Sequence, residues 1–284
     1  MTMNDRRQKL IEVFEDTQRF YTENPQLAAA VDASRKATCL YGPDEYPALP
    51  QKREKQMTFA VTQNTSFQAA RNRYFDYGRE RIAVLNFASA IHPGGGVKKG
   101  SSAQEESLCR CSTLYPTLDQ SFLHEKYYEP NYAAGDPLHT DACIWSPGIV
   151  ICKTDGGLPQ RIAPDGWATV DVISCAAPNL NKMTHNYYNP EAAKPVTLSR
   201  KEQYMLHLKR ARHIMHIAAS RQAEVLILGA FGCGAFANDP WAVACAFRNA
   251  LADYHPYFVH VEFAVYCRDF ETDNYDAFKT VMEQ

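Results

Sequence analysis

Three consecutive glycines, Gly94 to Gly96, separate a strand-like segment from a helix-like segment. The preceding run, Ile82 to Phe87, is apolar and has the length of a buried strand. Each glycine held in a fixed backbone costs conformational entropy, so such a run is typical of a turn with positive φ or of a backbone lying against a ligand. A helix is predicted to begin near Ser102, because Ser102 and Glu105 have the spacing of a capping box.

This order of strand, glycine loop and helix N-terminus predicts an anion-binding site. Free backbone N–H groups and the positive end of a helix dipole are expected to converge there. Two carboxylates, Glu105 and Glu106, lie in the first turn of the same predicted helix. An anionic ligand beside an acidic side chain indicates a catalytic site.

A second glycine loop, GAFGCGAFANDP, runs from Gly229 to Pro240. An apolar strand is predicted before it, and a helix is predicted after it, with Asn238 or Asp239 as the N-cap. In open α/β sheets, ligands bind beyond the carboxyl ends of the strands, so the two loops are expected to meet over one diphosphate. Neither loop has the spelling of a P-loop or of a Rossmann fingerprint.

The composition is that of a globular protein. The chain has 284 residues, 45% of them hydrophobic, and its net charge of −2 gives no general reason to bind nucleic acid or a membrane. No apolar run reaches the roughly 18 residues of a transmembrane helix, and the charged first segment predicts no secretory signal. Nine cysteines without CxxC pairs favour a reducing compartment. We therefore expect a soluble cytoplasmic protein, or a nucleocytoplasmic one if its source is eukaryotic.

Strands and helices alternate along the chain, which predicts an α/β fold with a largely parallel sheet between helices. Helices are predicted over 5–21, 66–77, 102–114, 199–221, 240–254 and 275–282, and strands over 58–63, 82–87, 142–145, 149–153, 169–174, 224–228 and 258–266. Segments 116–140 and 176–198 are expected to be loops. Without a repeat or a linker, residues 1–284 are expected to form one domain, with 1–56 as a helical N-terminal extension packed on it.

The glycine run, a seven-residue spacer and Gln104-Glu105-Glu106 together resemble the signature of poly(ADP-ribose) glycohydrolases. The run from Val84 to Tyr115 is similar to the smaller, bacterial-type branch, GCGAFANDP resembles its diphosphate loop, and CAAPN from Cys175 to Asn179 resembles another of its segments. The resemblance spans about residues 57–267. It implies a macrodomain-like fold, with a mixed, largely parallel central sheet between helices. It also implies hydrolysis of the ribose–ribose O-glycosidic bond of poly(ADP-ribose), with release of ADP-ribose.

The resemblance also implies a role for each matching residue. Glu106 would be the catalytic acid, and Glu105 would contact the ribose hydroxyls beside the scissile bond. The implied substrate-binding residues are Gly94, Gly95, Gly96, Gln104, Asn86, Ser89, Gly232, Cys233, Gly234, Ala235 and Phe236. The implied ligand is poly(ADP-ribose) or ADP-ribose, carried by an ADP-ribosylated protein, with no cofactor, no metal, and no direct contact with DNA or membrane.

The two neighbouring acids do not have the arrangement of an ordinary glycosidase pair. Such a pair flanks the sugar at roughly 5 to 9 Å, whereas adjacent residues of a helix point about 100° apart, given roughly 3.6 residues per turn. One carboxylate must therefore do the acid–base work. Glu106 is predicted to protonate the leaving ribose hydroxyl and then to activate water, while the substrate diphosphate stabilises the oxocarbenium ion.

Some of these residues have a second interpretation. Glu105 also fits the capping box, and Glu106 also fits an exposed first-turn acid. Phe231 and Phe236 either stack on a base or ribose or pack under the loop. His92 fits a loop-positioning role at least as well as a catalytic one. The histidines of the long predicted helix are interpreted as structural or surface residues rather than metal ligands: His207, His213 and His216.

Two alternatives to the polymer hydrolase stay open. One is a reader that binds ADP-ribose without cleaving it, and the other is a hydrolase of a different ADP-ribose linkage, on a protein side chain or a nucleic acid. Glu106 favours an enzyme, because a reader needs the phosphate loops but no acid. Lys98 and Lys99 depart from the smaller or more apolar residues of the family pattern, so their contacts are left open, a purely solvated role included.

Overall fold

The computed structural model describes residues 3–54, 56–78, 80–182 and 195–284. At its centre is a seven-stranded sheet of order β1-β4-β5-β3-β6-β7-β2. The β1/β4 and β4/β5 pairs are antiparallel and the other pairs are parallel, which confirms the predicted mixed, largely parallel sheet. The strands are β1 (Cys39–Tyr41), β2 (Thr58–Thr62), β3 (Ile82–Phe87), β4 (Cys143–Ile151), β5 (Ala168–Cys175), β6 (Val225–Leu228) and β7 (His260–Ala264).

Helices pack on both faces of the sheet, and the central strand β3 illustrates both. Ala83 and Leu85 are buried in one apolar cluster, and Ile82 and Val84 are buried in the other, because successive strand residues point to opposite faces. The helices are α1 (Met3–Glu23), α2 (Pro25–Ala37), α3 (Ser66–Tyr77), α4 (Gln104–Cys111), α5 (Tyr115–Leu118), α6 (Ser121–Leu123), α7 (Glu129–Ala134), α8 (Arg200–Ser220), α9 (Pro240–Tyr254) and α10 (Asp273–Glu283). In the part of the chain that the structure describes, no helix is long and apolar enough to cross a membrane.

Two strands predicted separately, 142–145 and 149–153, form the single strand β4. The pairing of β4 with β5 shifts register between Ser146 and Ile149, at Pro147 and Gly148. Gly148 has a φ of 69°, and its N–H donates to Asp171 Oδ1 at 2.9 Å. A bulge of this kind interrupts the apolar pattern without ending the ladder, which is why the sequence reads as two strands.

The prediction of a loop over 116–140 is wrong. This segment contains α5, α6, a π-helical turn at His124–Tyr128, and α7. Tyr127 and Tyr128 are 2% and 1% exposed, so these two rings of the segment belong to the core. The short strand β1 was also not predicted, and residues 183–194 of the predicted loop 176–198 lie outside the described residues. The other predicted helices and strands are confirmed, with the predicted bounds for α3, β3 and α9 and with shifted bounds for the rest.

The N-terminal helix α1 supports the segment that carries the glycine run. Phe14 of α1 is buried, and its ring centroid lies 5.0 Å from that of Tyr115 in an edge-on contact. Thr17 Oγ1 donates a hydrogen bond to the carbonyl oxygen of Arg110, on α4, at 2.6 Å. These contacts place α1 against α4 and against the ring of Tyr115.

Replacing Phe14 with alanine should lower the free energy of unfolding by about 3–5 kcal/mol, because the ring leaves a cavity in the core. Urea unfolding of the whole chain measures this change. The matched control is Phe75→Ala, a ring that is 49% exposed, for which a loss of less than about 1 kcal/mol is expected. Equal losses in the two variants would contradict the packing of α1 described here.

Candidate active site

The two glycine loops leave the same edge of the sheet. Strands β3 and β6 are parallel neighbours, so their carboxyl ends lie side by side. The ring of Phe87, at the end of β3, lies 5.6 Å from the ring of Phe231, in the second loop. A Cβ built on Gly229 would come within 2.6 Å of the carbonyl oxygen of Ala264 and 2.9 Å of Phe87 Cζ. The strand ends therefore pack too closely for a side chain at position 229, and both loops begin at the same edge of the sheet.

Gly94 and Gly95 are required by both conformation and space. Their φ angles are 69° and 56°, in the left-handed region that favours glycine. A Cβ on Gly94 would lie 2.8 Å from Tyr115 Cδ2. A Cβ on Gly95 would lie 2.6 Å from Glu106 Oε1 and 3.1 Å from Glu105 Oε2. The loop backbone is thus pressed directly against both carboxyl groups.

The helix that carries these acids does not begin with a capping box. Its N-cap is Ala103, which has no side chain to accept a hydrogen bond, so the prediction for Ser102 and Glu105 is wrong. Glu105 instead accepts hydrogen bonds from the backbone N–H of Ser89 at 2.7 Å and from the side-chain amide of Asn86 at 3.3 Å. Its carboxyl group is therefore directed at the end of β3 and not at its own helix terminus.

Glu106 is fixed by the glycine run. Its Oε1 accepts the backbone N–H of Gly96 at 2.8 Å, and the side chain is 7% exposed. Its Oε2 is buried and has no hydrogen-bond partner among the described residues. The interpretation of Glu106 as an exposed acid is therefore wrong. A buried carboxylate oxygen left unpaired costs free energy, so such an atom is a strong indication of function.

Gln104 joins the helix of the acids to the sheet. Its Nε2 donates to the carbonyl oxygen of Leu85 at 2.8 Å and to Ser66 Oγ at 3.0 Å. Its Oε1 accepts the backbone N–H of Phe87 at 2.8 Å. These bonds hold the start of α4 against the end of β3. They therefore fix the position of the backbone that carries Glu105 and Glu106.

The side chains of Asn86 and Ser89 also serve the scaffold. Asn86 is fully buried, and its Nδ2 donates to Ser174 Oγ on β5 at 2.9 Å as well as to Glu105. Ser89 Oγ accepts the backbone N–H of His92, an exposed residue, at 3.1 Å. The predicted residues around the first loop are therefore close together, and Asn86 and Ser89 hold Glu105 by hydrogen bonds.

The backbone N–H groups of the first loop are not free, in contrast to the prediction. Gly95 donates to the carbonyl oxygen of His92 at 3.0 Å, and Gly96 donates to Glu106. In the second loop, the N–H groups of 234–236 have no internal hydrogen bond within the described part of the chain, and Gly234 and Ala235 are exposed. An anion would find its backbone donors in the second loop.

Asn238 holds the second loop in place, a role that the sequence analysis missed. It is 3% exposed, and its Nδ2 donates to the carbonyl oxygens of Pro178 at 2.8 Å and Gly232 at 2.9 Å. Its Oδ1 lies 2.9 Å from His207 Nε2. The N-cap of α9 is Asp239. The only sequence signal was a polar residue beside a cap, which does not reveal partners distant in the chain.

The two phenylalanines of the second loop have different environments. Phe231 is fully buried and packs edge-on against Phe87 and Phe247, which confirms the packing interpretation for this ring. Phe236 is half-buried, and its ring lies 6.3 Å from that of His139. His139, not singled out from the sequence, has a φ of 55°, and burial together with the charge of Arg210 lowers the pKa of its imidazole to about 4.

The histidines of α8 hold neighbouring loops. The ring nitrogens of His213 lie 2.7 Å from the carbonyl oxygen of Asp141 and 3.0 Å from that of Glu45. His216 Nε2 lies 2.7 Å from the carbonyl oxygen of Pro47. These contacts agree with a structural interpretation. Within the described ranges, no group of three His, Cys, Asp or Glu side chains is placed to hold a metal ion.

Burial dominates the electrostatics of Glu105. Desolvation, with the nearby charge of Glu106 as the second cause, raises the pKa of Glu105 from 4.5 to about 8. Hydrogen bonds from Ser89, Asn86 and Gly94 oppose this shift without cancelling it. Near neutral pH the carboxyl group of Glu105 therefore retains a proton.

A raised pKa in the folded state makes stability depend on pH. The unfolded chain ionises Glu105 near its ordinary pKa and the folded chain only near pH 8, so folding loses stability progressively as the pH rises between those values. Glutamine cannot ionise, so Glu105→Gln should abolish this pH-dependent decrease of a few kcal/mol in the free energy of unfolding. Urea unfolding from pH 4.5 to 8.5 measures it, with the exposed Glu12→Gln as control. Parallel curves for the native protein and Glu105→Gln would contradict the shift.

Comparison with known proteins identifies the family. The model of the microbial-type poly(ADP-ribose) glycohydrolase (PARG) catalytic domain matches residues 9–154. The structure of PARG from Thermomonospora curvata has 28% sequence identity and a TM-score of 0.79, covering 98% of this chain and 99% of that one. The structure of the same enzyme bound to the inhibitor ADP-HPD has 29% sequence identity and a TM-score of 0.76, with the same coverage of both chains.

A second bacterial enzyme leads to the same result. PARG from Deinococcus radiodurans, in complex with ADP-ribose, has 34% identity and a TM-score of 0.74, covering 89% of this chain and 96% of that one. No curated protein matches the chain. The predicted macrodomain-like fold is confirmed by these structures. With the family model over more than half of its length and two bacterial enzymes matched over nearly all of theirs, the chain belongs to the microbial-type poly(ADP-ribose) glycohydrolases.

Proposed function

We propose that this protein hydrolyses the ribose–ribose O-glycosidic bond of poly(ADP-ribose) and releases ADP-ribose, with Glu106 as its general acid and base. The observation that carries the assignment of Glu106 is its carboxyl group, which Gly96 holds through Oε1 and whose buried Oε2 has no hydrogen-bond partner in the described part of the chain. Membership of a glycohydrolase family supports the reaction, and the Deinococcus enzyme in complex with ADP-ribose supports the ligand.

In the proposed mechanism, protonated Glu106 donates its proton to the bridging oxygen while the bond from that oxygen to the anomeric carbon breaks. The sugar becomes an oxocarbenium ion, and the remaining polymer leaves with a free hydroxyl. The carboxylate of Glu106 then takes a proton from a water molecule, whose oxygen attacks the anomeric carbon. One group therefore serves both steps, because Glu105 is turned towards Ser89 and Asn86.

We assign Glu105 to the ribose hydroxyls beside the scissile bond. A carboxyl group that keeps its proton near neutral pH both donates and accepts hydrogen bonds, as a sugar hydroxyl requires. For the diphosphate, the donors with the best support are the N–H groups of 234–236, because those of Gly95 and Gly96 already donate to His92 and Glu106. Phe236 is the ring of that loop which is open to a ligand.

The remaining proposals concern the setting of the reaction. We propose that the polymer is carried by ADP-ribosylated proteins, that DNA and membranes are not bound directly, and that the protein is cytoplasmic. The net charge of −2 and nine free cysteines support this setting. We also propose that residues 1–284 act as one domain, with 1–56 as part of it; the contacts of α1 with α4 and Tyr115 support this.

Glu106→Gln should reduce ADP-ribose release from purified poly(ADP-ribose) by about 10²-fold or more, because the amide neither donates a transferable proton nor activates water. Release is measured by chromatography of the products, and ADP-ribose affinity by calorimetry is expected to stay within a few-fold. Glu12→Gln on α1 is the control and should keep native activity. If Glu106→Gln released ADP-ribose at the rate of the native protein, the assignment of this residue would be contradicted. If the native protein released none, the proposed function would be contradicted.

Gly95→Ala should disable the enzyme without unfolding it. The new methyl group would lie 2.6 Å from Glu106 Oε1, so the carboxyl group must move, and kcat should fall by about 10²-fold. Gly157→Ala is the control, because a Cβ there meets nothing within 4 Å. Steady-state kinetics on the polymer measures kcat, and thermal melting verifies that the variant is folded. A kcat like that of the control would contradict the described contact.

A further inference from the structure

We propose that Lys98 and Lys99 form a leaving-chain site, which binds the phosphates of the ADP-ribose unit that remains on the polymer after cleavage. This inference rests on the proposed function, and it gives a role to two residues that neither the fold nor the acid chemistry requires. The ligand class is a pyrophosphate-linked ribonucleotide chain, bound on the side of the scissile bond opposite to the released unit.

The lysines are carried by a firmly anchored turn next to the acid. Gly96, which donates its N–H to Glu106, is followed by a 3₁₀ turn over Val97–Lys99. Val97 is fully buried in the same apolar cluster as Phe14 and Tyr115. The side chains of Lys98 and Lys99 are exposed while the turn beneath them is fixed. Two cationic groups are thus held within three residues of Gly96, the glycine that contacts the proposed acid.

The two lysines have different neighbours around the glycine run. Lys98 Nζ is 5.1 Å from the centroid of the Tyr115 ring, the same ring that packs under Gly94. Lys99 is close to His92, at the start of the loop, where its charge adds to burial in lowering the pKa of the imidazole. The counter-charge near Lys98 is Asp119, whose Oδ2 lies at 3.8 Å. Such exposed ion pairs are weak and exchange readily for a phosphate.

The position of this charge favours the leaving chain over the released unit. The free backbone donors for the released diphosphate are in the second loop, which has no lysine or arginine between Gly229 and Pro240. The lysines instead follow Gly96, the glycine that donates its N–H to Glu106, and the remaining polymer begins at this acid once the bond is cut. Each unit of that polymer carries two phosphates. On a chain with a net charge of −2, this local pair provides the attraction that the whole surface lacks.

The test compares Lys98→Gln/Lys99→Gln with the native protein on two substrates. One is poly(ADP-ribose), and the other is an aryl glycoside of ADP-ribose, which has a neutral leaving group and no further phosphates. For the polymer, KM should rise roughly three- to tenfold with little change in kcat. The dependence of log KM on log salt should lose a slope of about 1.4, for two phosphate contacts. For the aryl glycoside, and for ADP-ribose affinity, no change is expected.

The control is Lys36→Gln/Lys52→Gln, which removes the same charge from exposed lysines elsewhere on the surface. Unchanged KM and salt dependence for the polymer in the Lys98/Lys99 variant would overturn the leaving-chain site while leaving the proposed function intact. Weaker ADP-ribose binding, or an equal defect on the aryl glycoside, would overturn it in favour of contacts with the released unit. An equal effect in the control would overturn it as well, because general charge attraction would then suffice.

Discussion

The site depends on the contact between a backbone without side chains and two buried carboxyl groups. Gly95 leaves no room for a Cβ beside Glu106 and Glu105, and Gly96 donates its N–H to Glu106. Glycine is needed here because only a bare backbone in the left-handed region approaches this closely. Packing beneath the loop favours its fixed conformation, because Tyr115 lies under Gly94 and Phe14 packs against Tyr115.

Two neighbouring acids acquire different environments through this contact. Glu105 points back to the end of β3 and is desolvated, which raises its pKa. Glu106 accepts a hydrogen bond from Gly96 on one oxygen, and its other, buried oxygen has no partner among the residues that the structure describes. Their side chains diverge because adjacent helical residues point in different directions. The arrangement agrees with a division of roles in which one acid positions the sugar and the other transfers the proton.

Local sequence patterns predicted much of the fold. The apolar run of β3, the N-cap of α9 and the glycine loops depend on neighbouring residues, and each is found where the pattern places it. The errors have a tertiary origin. The capping box failed because Glu105 has better partners on β3, and the aromatic segment 116–140 became helical because Tyr127 and Tyr128 reach the core.

The predictions for the candidate site show the same division between local features, which were predicted, and distant contacts, which were missed. Glu105, Glu106 and Gly94 to Gly96 are found together because they are close in sequence, and the motif that carries them is specific. Asn238 and His139 were missed because their importance comes from partners far along the chain, and no spacing rule connects them. The engagement of the first loop's N–H groups was missed for a related reason, since a glycine run indicates a close approach without indicating to what.

The most direct measurement is a crystal structure of the protein with ADP-ribose bound. If one acid transfers the proton and the other positions the sugar, Glu106 Oε2 should lie within hydrogen-bond distance of the anomeric oxygen. Glu105 should then contact a neighbouring ribose hydroxyl, and the diphosphate should accept N–H groups of 234–236. A ligand whose anomeric oxygen lies on Glu105, with Glu106 still bound to Gly96 and remote from the sugar, would contradict the central assignment.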